Sequence, residues 1–498
     1  MSTRTFRLYD TQSRQLKPLV TLEPGHLKFY SCGPTVYSYA HIGNFRTFLT
    51  ADLIVRTAKA IGWKVTYVSN ITDVGHLTQD DFADAGGEDK LEKALHSPEG
   101  HAFANIWDLS EHYAVAFIED WKRLNLLEPA VRPRATHHLR EQILAIEALV
   151  QKGMAYETAL GVYFDVTRFG SYGELSGNKS QDQLKQGARD VLQDPEKRHP
   201  ADFALWKKDK KHLMQWFSPW GWGFPGWHIE CSAMSMRYLG ETYDLHGGGE
   251  DLIFPHHECE IAQSESLTGK PLAHHWVHTR FLQVEGEKMS KRSGNFYTVR
   301  DLLDQKHIHP LALRYALIAV PYGKPLNFTL QGLNDASHII ERFMECQKQV
   351  KCAMDKGSDH EDRLEVPLKH LYDEALGAMC EDLNTSVALA KTYEMTRVIL
   401  RESGMMSKNS ARSAKKYLCR VNDLLGILEQ EHSELQKVDQ KTPLSKEQIF
   451  AAIEERSKAK KAKNFEKADA IRKELLEKGV ELRDTPEGTT WKFKPSLS

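Results

Sequence analysis

The chain has 498 residues, 41% of them apolar, and a formal net charge of -2; this excludes a globally polybasic or polyacidic protein but not a nucleic-acid partner, because a basic face can be offset by acidic surface elsewhere. No apolar run approaches the ~20 residues that span a bilayer, and no apolar segment follows the basic residues of Met1–Asp10, so the expectation is a cytoplasmic protein with neither a membrane span nor a leader. Seven cysteines, odd in number and sparse for this length, exclude a disulfide framework and leave thiols, some of them available to a metal.

In chain order, Leu27 to Cys32 predicts a short strand that ends at Gly33-Pro34. An apolar-periodic helix follows from about Phe45 to Ile61, and Lys64 to Asn70 alternates like a strand. This is the β-α-β opening of a doubly wound parallel sheet. Ligands bind such sheets at the carboxyl ends of the strands, where Cys32, His41 and Asn70-Ile-Thr72-Asp73 would gather. From Pro129 to Lys211 the pattern changes to a helix over His138–Lys152, a strand at Gly161–Asp165 and a polar, glycine-punctuated stretch. That segment, 129–211, predicts an insertion between two halves of one α/β domain, 1–128 and 212–275. The second half resumes at Gly226–Cys231, with a helix over Ser232–Tyr238, a strand at Thr242–His246, the triplet Gly247-Gly248-Gly249 and a helix entered through Pro255, a residue suited to a first helical turn. A connecting region spans 276–330. From about Leu311 the chain is mostly helical by period. Polar stretches at Lys356–Glu365 and Glu429–Glu447 read as linkers, delimiting a helical bundle at 331–430 and a small C-terminal α+β unit at 445–498.

Two short signatures stand far apart, His41-Ile-Gly-Asn44 and Lys288-Met-Ser-Lys291. Either alone arises by chance too often to carry weight. Together they look like the ATP-handling pair of a class I aminoacyl-tRNA synthetase. His256 and Glu260, four apart on a predicted helix, share a face, and Cys32 and Cys231 come from two other segments. Spacing alone leaves two readings open: a zinc site, or small buried cysteines beside a capping histidine. The basic run Arg456 to Lys463 is by composition either a solvated helix face or a phosphate-contacting surface.

The segments Tyr30–Tyr37, Asn70–Asp73, Asp202–Lys207, Pro225–Met234, His246–Gly249, Phe254–Gln263 and Glu381–Thr385 are similar, in order and over nearly the whole chain, to those of the cysteinyl-tRNA synthetase family. The resemblance implies a Rossmann-type catalytic domain split by a connective insertion, a Lys-Met-Ser-Lys loop with a stem-contact region, a helical bundle and an anticodon-binding C-terminal unit. It implies ATP-dependent activation of L-cysteine to cysteinyl-adenylate and transfer to the 3′ end of tRNA(Cys) by a monomer, with Mg2+-ATP as substrate. In that family one Zn2+ is held at the positions of Cys32, Cys231, His256 and Glu260, and the substrate sulfur approaches it. Gly33, Thr72 and Trp227 would shape the amino-acid pocket. His41, Asn44, Lys288 and Lys291 would be the catalytic phosphate-binding residues, with Gly247, Gly248, Gly249 and Asp251 also against ATP or its adenosine. Lys460, Phe465, Asp469 and Asp484 would meet the anticodon.

A metal suits the discrimination required. Cysteine and serine differ by one atom, and a pocket judging size separates such a pair by only ~1–3 kcal/mol. Zinc lowers a thiol's pKa and binds the thiolate, whereas a hydroxyl stays protonated and binds poorly. A separate editing domain then becomes unnecessary. The chain departs from the family pattern in several places. Asn44 replaces a second histidine, Arg292 a serine, Cys259 an asparagine and Phe465 the commoner tryptophan, and the acidic stretch Asp80–Asp89 replaces a shorter, more basic segment. Two alternatives share parts of this signature. A cysteine ligase acting on an amino sugar, as in the mycothiol pathway, would lack the Gly488–Trp491 unit, and a non-catalytic tRNA- or cysteine-binding paralogue would have no use for His41, Lys288 and Lys291.

Overall fold

Four parallel strands lie in the order Ala273–Thr279, Tyr243–Gly249, His26–Ser31 and Lys64–Ser69, as the α/β reading requires. The computed structural model describes residues 4–78, 87–178, 195–290, 294–358, 361–429, 446–461, 464–477, 480–485 and 488–493. The two central strands are buried along nearly their whole length, as expected when helices cover both faces of a parallel sheet. Helix Ile42–Ala60 crosses from His26–Ser31 to Lys64–Ser69, and helix Glu258–Thr268 crosses from Tyr243–Gly249 to Ala273–Thr279. The strand order therefore reverses between the two central strands, and the crevice at their carboxyl ends is where a ligand is received. Cys32 sits on that edge, its backbone N–H donating to the Gly247 carbonyl at 3.2 Å.

The first helix matches its predicted span apart from its start, at Ile42. Three elements of the second half differ from expectation. Strands Trp216–Ser218 and Gly221–Pro225 join Ala155–Glu157, Gly161–Phe164 and Phe203–Lys207 in one five-stranded antiparallel sheet. The insertion's sheet thus runs to Pro225, past the expected boundary at 211. Helix Trp227–Leu239 starts directly after Gly226, well before Ser232. The glycine triplet, finally, forms the last three residues of strand Tyr243–Gly249.

Beyond the sheet come a three-stranded sheet of Leu282–Val284, Glu287–Lys288 and Leu326–Phe328, helix Pro310–Ile318, and four helices, Leu330–Lys356, Glu365–Cys380, Thr385–Glu402 and Lys408–Leu425. The bundle's core is continuous with the sheet's: Phe29, Phe48, Leu313, Ile399 and Leu424 belong to one buried apolar cluster. Residues 1–429 accordingly form one compact unit.

A buried charge cluster stitches the first helix into that unit. Asp52 accepts from Arg56 Nε at 2.8 Å and from Arg314 Nη2 at 2.5 Å. Arg314 also donates to the carbonyls of Leu124, Asn125 and Leu425 at 2.8–3.0 Å. Burial pushes the Asp52 carboxyl upward, but Arg56 and Arg314 outweigh it and hold the group below its usual range.

The second unit is described by itself. Helices Lys446–Lys461 and Phe465–Glu477 are followed by an antiparallel hairpin of Val480–Thr485 and Gly488–Phe493. Among the described residues no helix is long and apolar enough to cross a membrane.

Candidate active site and metal centre

Cys32, Cys231, His256 and Glu260 meet in a buried cup. Cys32 leaves the end of the first central strand, Cys231 lies in helix Trp227–Leu239, and the other two come from the kinked turn Ile253–His257 and the helix after it. The Cys32 and Cys231 sulfurs are 3.9 Å apart, Cys32 Sγ is 3.5 Å from Glu260 Oε1, and His256 Nε2 is 3.0 Å from the same oxygen. Their ligand atoms all lie within 4.8 Å of one another, and none of the four residues is more than 5% exposed. The donor set of two sulfurs, an imidazole and a carboxylate is one that zinc accepts in a tetrahedral site. Glu260 Oε2 is buried with no hydrogen-bond partner, a costly state for a carboxylate unless a cation answers it. The hydrogen bond from Cys32 brings the Cys231 thiol down to about 7 against the opposing effect of burial, so thiolate is within reach at neutral pH.

Two histidines that sequence reasoning missed face the same cup. His246 Nε2 is 3.5 Å and His257 Nε2 3.4 Å from Cys32 Sγ. His246 ends the predicted strand, beside the glycines. His257 is next to His256, and on a regular helix neighbouring side chains diverge by about 100°. Here Phe254 is extended, with φ -137° and ψ 132°, and the broken turn aims both histidines inward. Cys259 points away: its sulfur lies 3.5 Å from the Tyr172 hydroxyl, in the cluster built around the insertion.

Cys32 opens onto a cavity that also meets Gly33, Trp227, His41, Asn44 and Asp251. The Gly33 N–H donates to Asn70 Oδ1 at 2.8 Å, and a Cβ at position 33 would lie 1.6 Å from the Asn70 carbonyl oxygen, so only glycine fits. Thr72 sits behind this edge: its N–H donates to the Pro34 carbonyl, and its own carbonyl accepts from Val36 N–H. The Trp227 ring stacks on His76, centroids 4.0 Å apart and planes 10° off parallel. His76 is in turn held by Thr35 Oγ1 at 2.6 Å and by Lys90 Nζ at 2.5 Å. Lys90 lies just past the acidic stretch, of which 80–86 fall outside the described residues. The flanks of that stretch pair at Leu77 and Asp89, which returns Lys90 to the pocket wall.

At the other end of the cavity, His41 and Asn44 cap the first helix reciprocally. Asn44 N–H donates to His41 Nδ1 and His41 N–H to Asn44 Oδ1, both at 3.1 Å. With Nδ1 accepting, the neutral ring carries its proton on Nε2, and the Asn44 amide keeps its NH2 group as donor. Asparagine at position 44 thus supplies the acceptor of the cap and a donor together. A second cavity shares His41, Asn44, Gly249 and Asp251 and continues to Lys288 and Met289. Gly247 and Gly248 face inward instead, where added Cβ atoms would meet Phe29 at 3.2 Å and the His257 ring at 2.9 Å. The chain beyond Lys288 returns to the first helix through Ile42 N–H, which donates to the Tyr297 carbonyl at 3.0 Å. Lys291 and Arg292 lie outside the described residues.

In the C-terminal unit Lys460 and Asp469 are exposed on successive helices, Phe465 begins the second helix and Asp484 lies in the hairpin.

Residues 18–338 match the family described as tRNA synthetases class I (C) catalytic domain. The chain is 53% identical to a Salinibacter ruber protein named cysteine–tRNA ligase, with 100% of both chains covered. It is 40% identical to one of the same name from Thermococcus gammatolerans, with 98% of each covered. Among solved structures, Mycobacterium tuberculosis methionyl-tRNA synthetase in complex with methionyl-adenylate superposes with a TM-score of 0.56 over 80% of this chain and 92% of that one, at 13% identity, a likeness of fold alone.

Proposed function

The chain belongs to the cysteine–tRNA ligase family of class I tRNA synthetases, and from that premise we propose that its buried cup selects the substrate through a zinc ion while His41, Asn44 and the Lys288–Lys291 loop manage the phosphates of ATP. The reaction is ATP-dependent activation of L-cysteine to cysteinyl-adenylate, then transfer to the 3′ end of tRNA(Cys). One observation carries the division of labour: through Cys32 the four-ligand cluster meets a cavity that also reaches His41 and Asn44 at the capped start of the first helix.

Cys32, Cys231, His256 and Glu260 would hold the zinc, which when bound supplies a soft Lewis acid that favours a thiolate over a hydroxyl. Gly33 and the Trp227 indole border the space beside them and would orient the bound amino acid. Adenylation needs the carboxylate to attack the α-phosphate while pyrophosphate departs, so positioning and charge stabilisation carry the work. His41 Nε2–H and the Asn44 amide would donate to phosphate oxygens at a helix N-terminus, where the dipole also favours anions. Asp251 and Gly249 border both cavities, in position for the adenosine or the substrate's amino group. Lys288 and Lys291 would neutralise the leaving pyrophosphate, with Arg292 adding a cation, and magnesium would enter with the nucleotide. Lys288→Ala is expected to slow cysteine-dependent ATP–pyrophosphate exchange about 100-fold and leave equilibrium cysteine binding within about twofold. A comparable loss of cysteine binding would overturn the separation of roles.

The same reading assigns 276–330 to contact with the acceptor stem and 445–498 to the anticodon. Lys460 would neutralise phosphate, Phe465 would stack on an unpaired base, and Asp469 and Asp484 would accept hydrogen bonds from base edges. The enzyme would act as a monomer in the cytoplasm. Ending the chain before Thr442 should leave pyrophosphate exchange intact, because residues 1–429 form one compact unit. Aminoacylation of tRNA(Cys) by the shortened enzyme should fall at least tenfold; equal charging would remove the anticodon role.

A further inference from the structure

Glu260 offers its two carboxylate oxygens in different directions. Oε1 lies 3.0 Å from His256 Nε2 and 3.9 Å from His257 Nε2, whereas Oε2, which makes no hydrogen bond, lies 3.6 Å from His246 Nε2. Cys32 Sγ stands between His246 and His257 on one side and Cys231 on the other. Its sulfur is 3.5 Å from His246 Nε2 and 3.4 Å from His257 Nε2 on one side, and 3.9 Å from Cys231 Sγ on the other. Cys32, His246, His257 and Glu260 thus make a second group whose ligand atoms all lie within 4.8 Å of one another, and all four are buried.

The two histidines are held as metal-binding imidazoles are held, each with its remote nitrogen tied. His246 Nδ1 is 2.7 Å from the Tyr243 hydroxyl. His257 Nδ1 is 2.8 Å from His278 Nε2, and His278 Nδ1 is 2.7 Å from Thr11 Oγ1. Such outer hydrogen bonds fix the ring orientation of a ligating histidine and leave the inner nitrogen for the ion. The His246 ring is further packed on Trp276, centroids 4.5 Å apart. Because the kinked turn aims His256 and His257 into one cup, the first quartet does not use all the nitrogen donors present.

We propose that Cys32, His246, His257 and Glu260 form a second position for a borderline or soft divalent cation, sharing Cys32 and Glu260 as an edge with the first. With one ion present, the quartet containing two sulfurs is the softer and holds it. In excess zinc or cadmium a second ion enters, the Cys32 thiolate and the Glu260 carboxylate bridge the pair, and His246 and His257 complete the new site. This inference rests on the zinc reading above, and the ion count separates the two.

The test dialyses the full-length holoenzyme first against metal-free buffer and then against excess cadmium, counting ions per chain and recording the 113Cd spectrum. The expected result is one tightly held ion before and two after, with a thiolate-shifted 113Cd resonance from the added ion. His246→Gln and His257→Gln should each return the saturated count to one. A count that stays at one in the wild type, or a second ion lacking a thiolate-shifted resonance, overturns the second position and leaves the first standing. A second ion that persists in both variants also overturns it. No tightly held ion at either stage overturns both readings. Because the wild-type spectrum alone can refute the proposal, a variant that fails to fold does not shield it.

Discussion

Cys231→Ser is expected to lower cysteine-dependent ATP–pyrophosphate exchange by about 1000-fold or more and to reduce bound zinc from one ion per chain to a small fraction. Loss of a partner that merely orients a ligand costs ~10–100-fold in metal affinity or activity, and removing a ligand itself should cost more. A serine hydroxyl stays protonated at neutral pH, whereas the Cys231 thiol is already drawn down to about 7 by the bond from Cys32. The substitution therefore removes an anion as well as a donor atom from a buried cup. Cys259→Ser is the matched control. Its sulfur bonds toward Tyr172, so the zinc content should not change. Full exchange activity and a full zinc count in Cys231→Ser would dismiss the metal reading.

Arg314→Met should destabilise residues 1–429 by about 3–5 kcal/mol, the usual cost of removing one partner from a buried ion pair. Met fills much of the volume but donates nothing. Asp52 would keep Arg56, while the Leu425 carbonyl would lose its bond from Arg314 Nε and those of Leu124 and Asn125 would lose Nη1. Arg314→Lys should fall between, since an ammonium keeps the charge but cannot reproduce the planar fork. The check is the thermal unfolding midpoint of each variant against wild type, read as a rank order because a chain of two units need not unfold in one step. A midpoint for Arg314→Met within about 1 °C of wild type would refute the argument.

Sequence patterning reached the β-α-β opening because a short strand ending at Gly33-Pro34 and an alternating run at Lys64–Asn70 flank a helix. The first helix was legible from its own apolar period. The four ligands were a different matter. Spacing alone left them open, since they come from separated segments, and the family resemblance supplied the set that the cup then brought together. His257 escaped because helical geometry assigns one inward direction to adjacent residues, and only the broken turn at Phe254 gives two; His246 escaped because it lies on a strand, far in sequence from the other donors. Strands Trp216–Ser218 and Gly221–Pro225 escaped because tryptophan and glycine alternate there without an aliphatic run. His76 was hidden differently: its partners Thr35, Lys90 and Trp227 meet only after the chain around Asp80–Asp89 has doubled back.

The order in which the ligands are synthesised follows from the split sheet. Cys32 leaves the ribosome first, and Glu260 emerges roughly 230 residues later, a delay of about 10–50 s at ordinary elongation rates. Through most of that interval Cys32 has none of its three partners, Cys231 being the first of them to follow. Were zinc bound as proposed, the complete donor set would be open to it only late in biogenesis, once both half-sheets have been made.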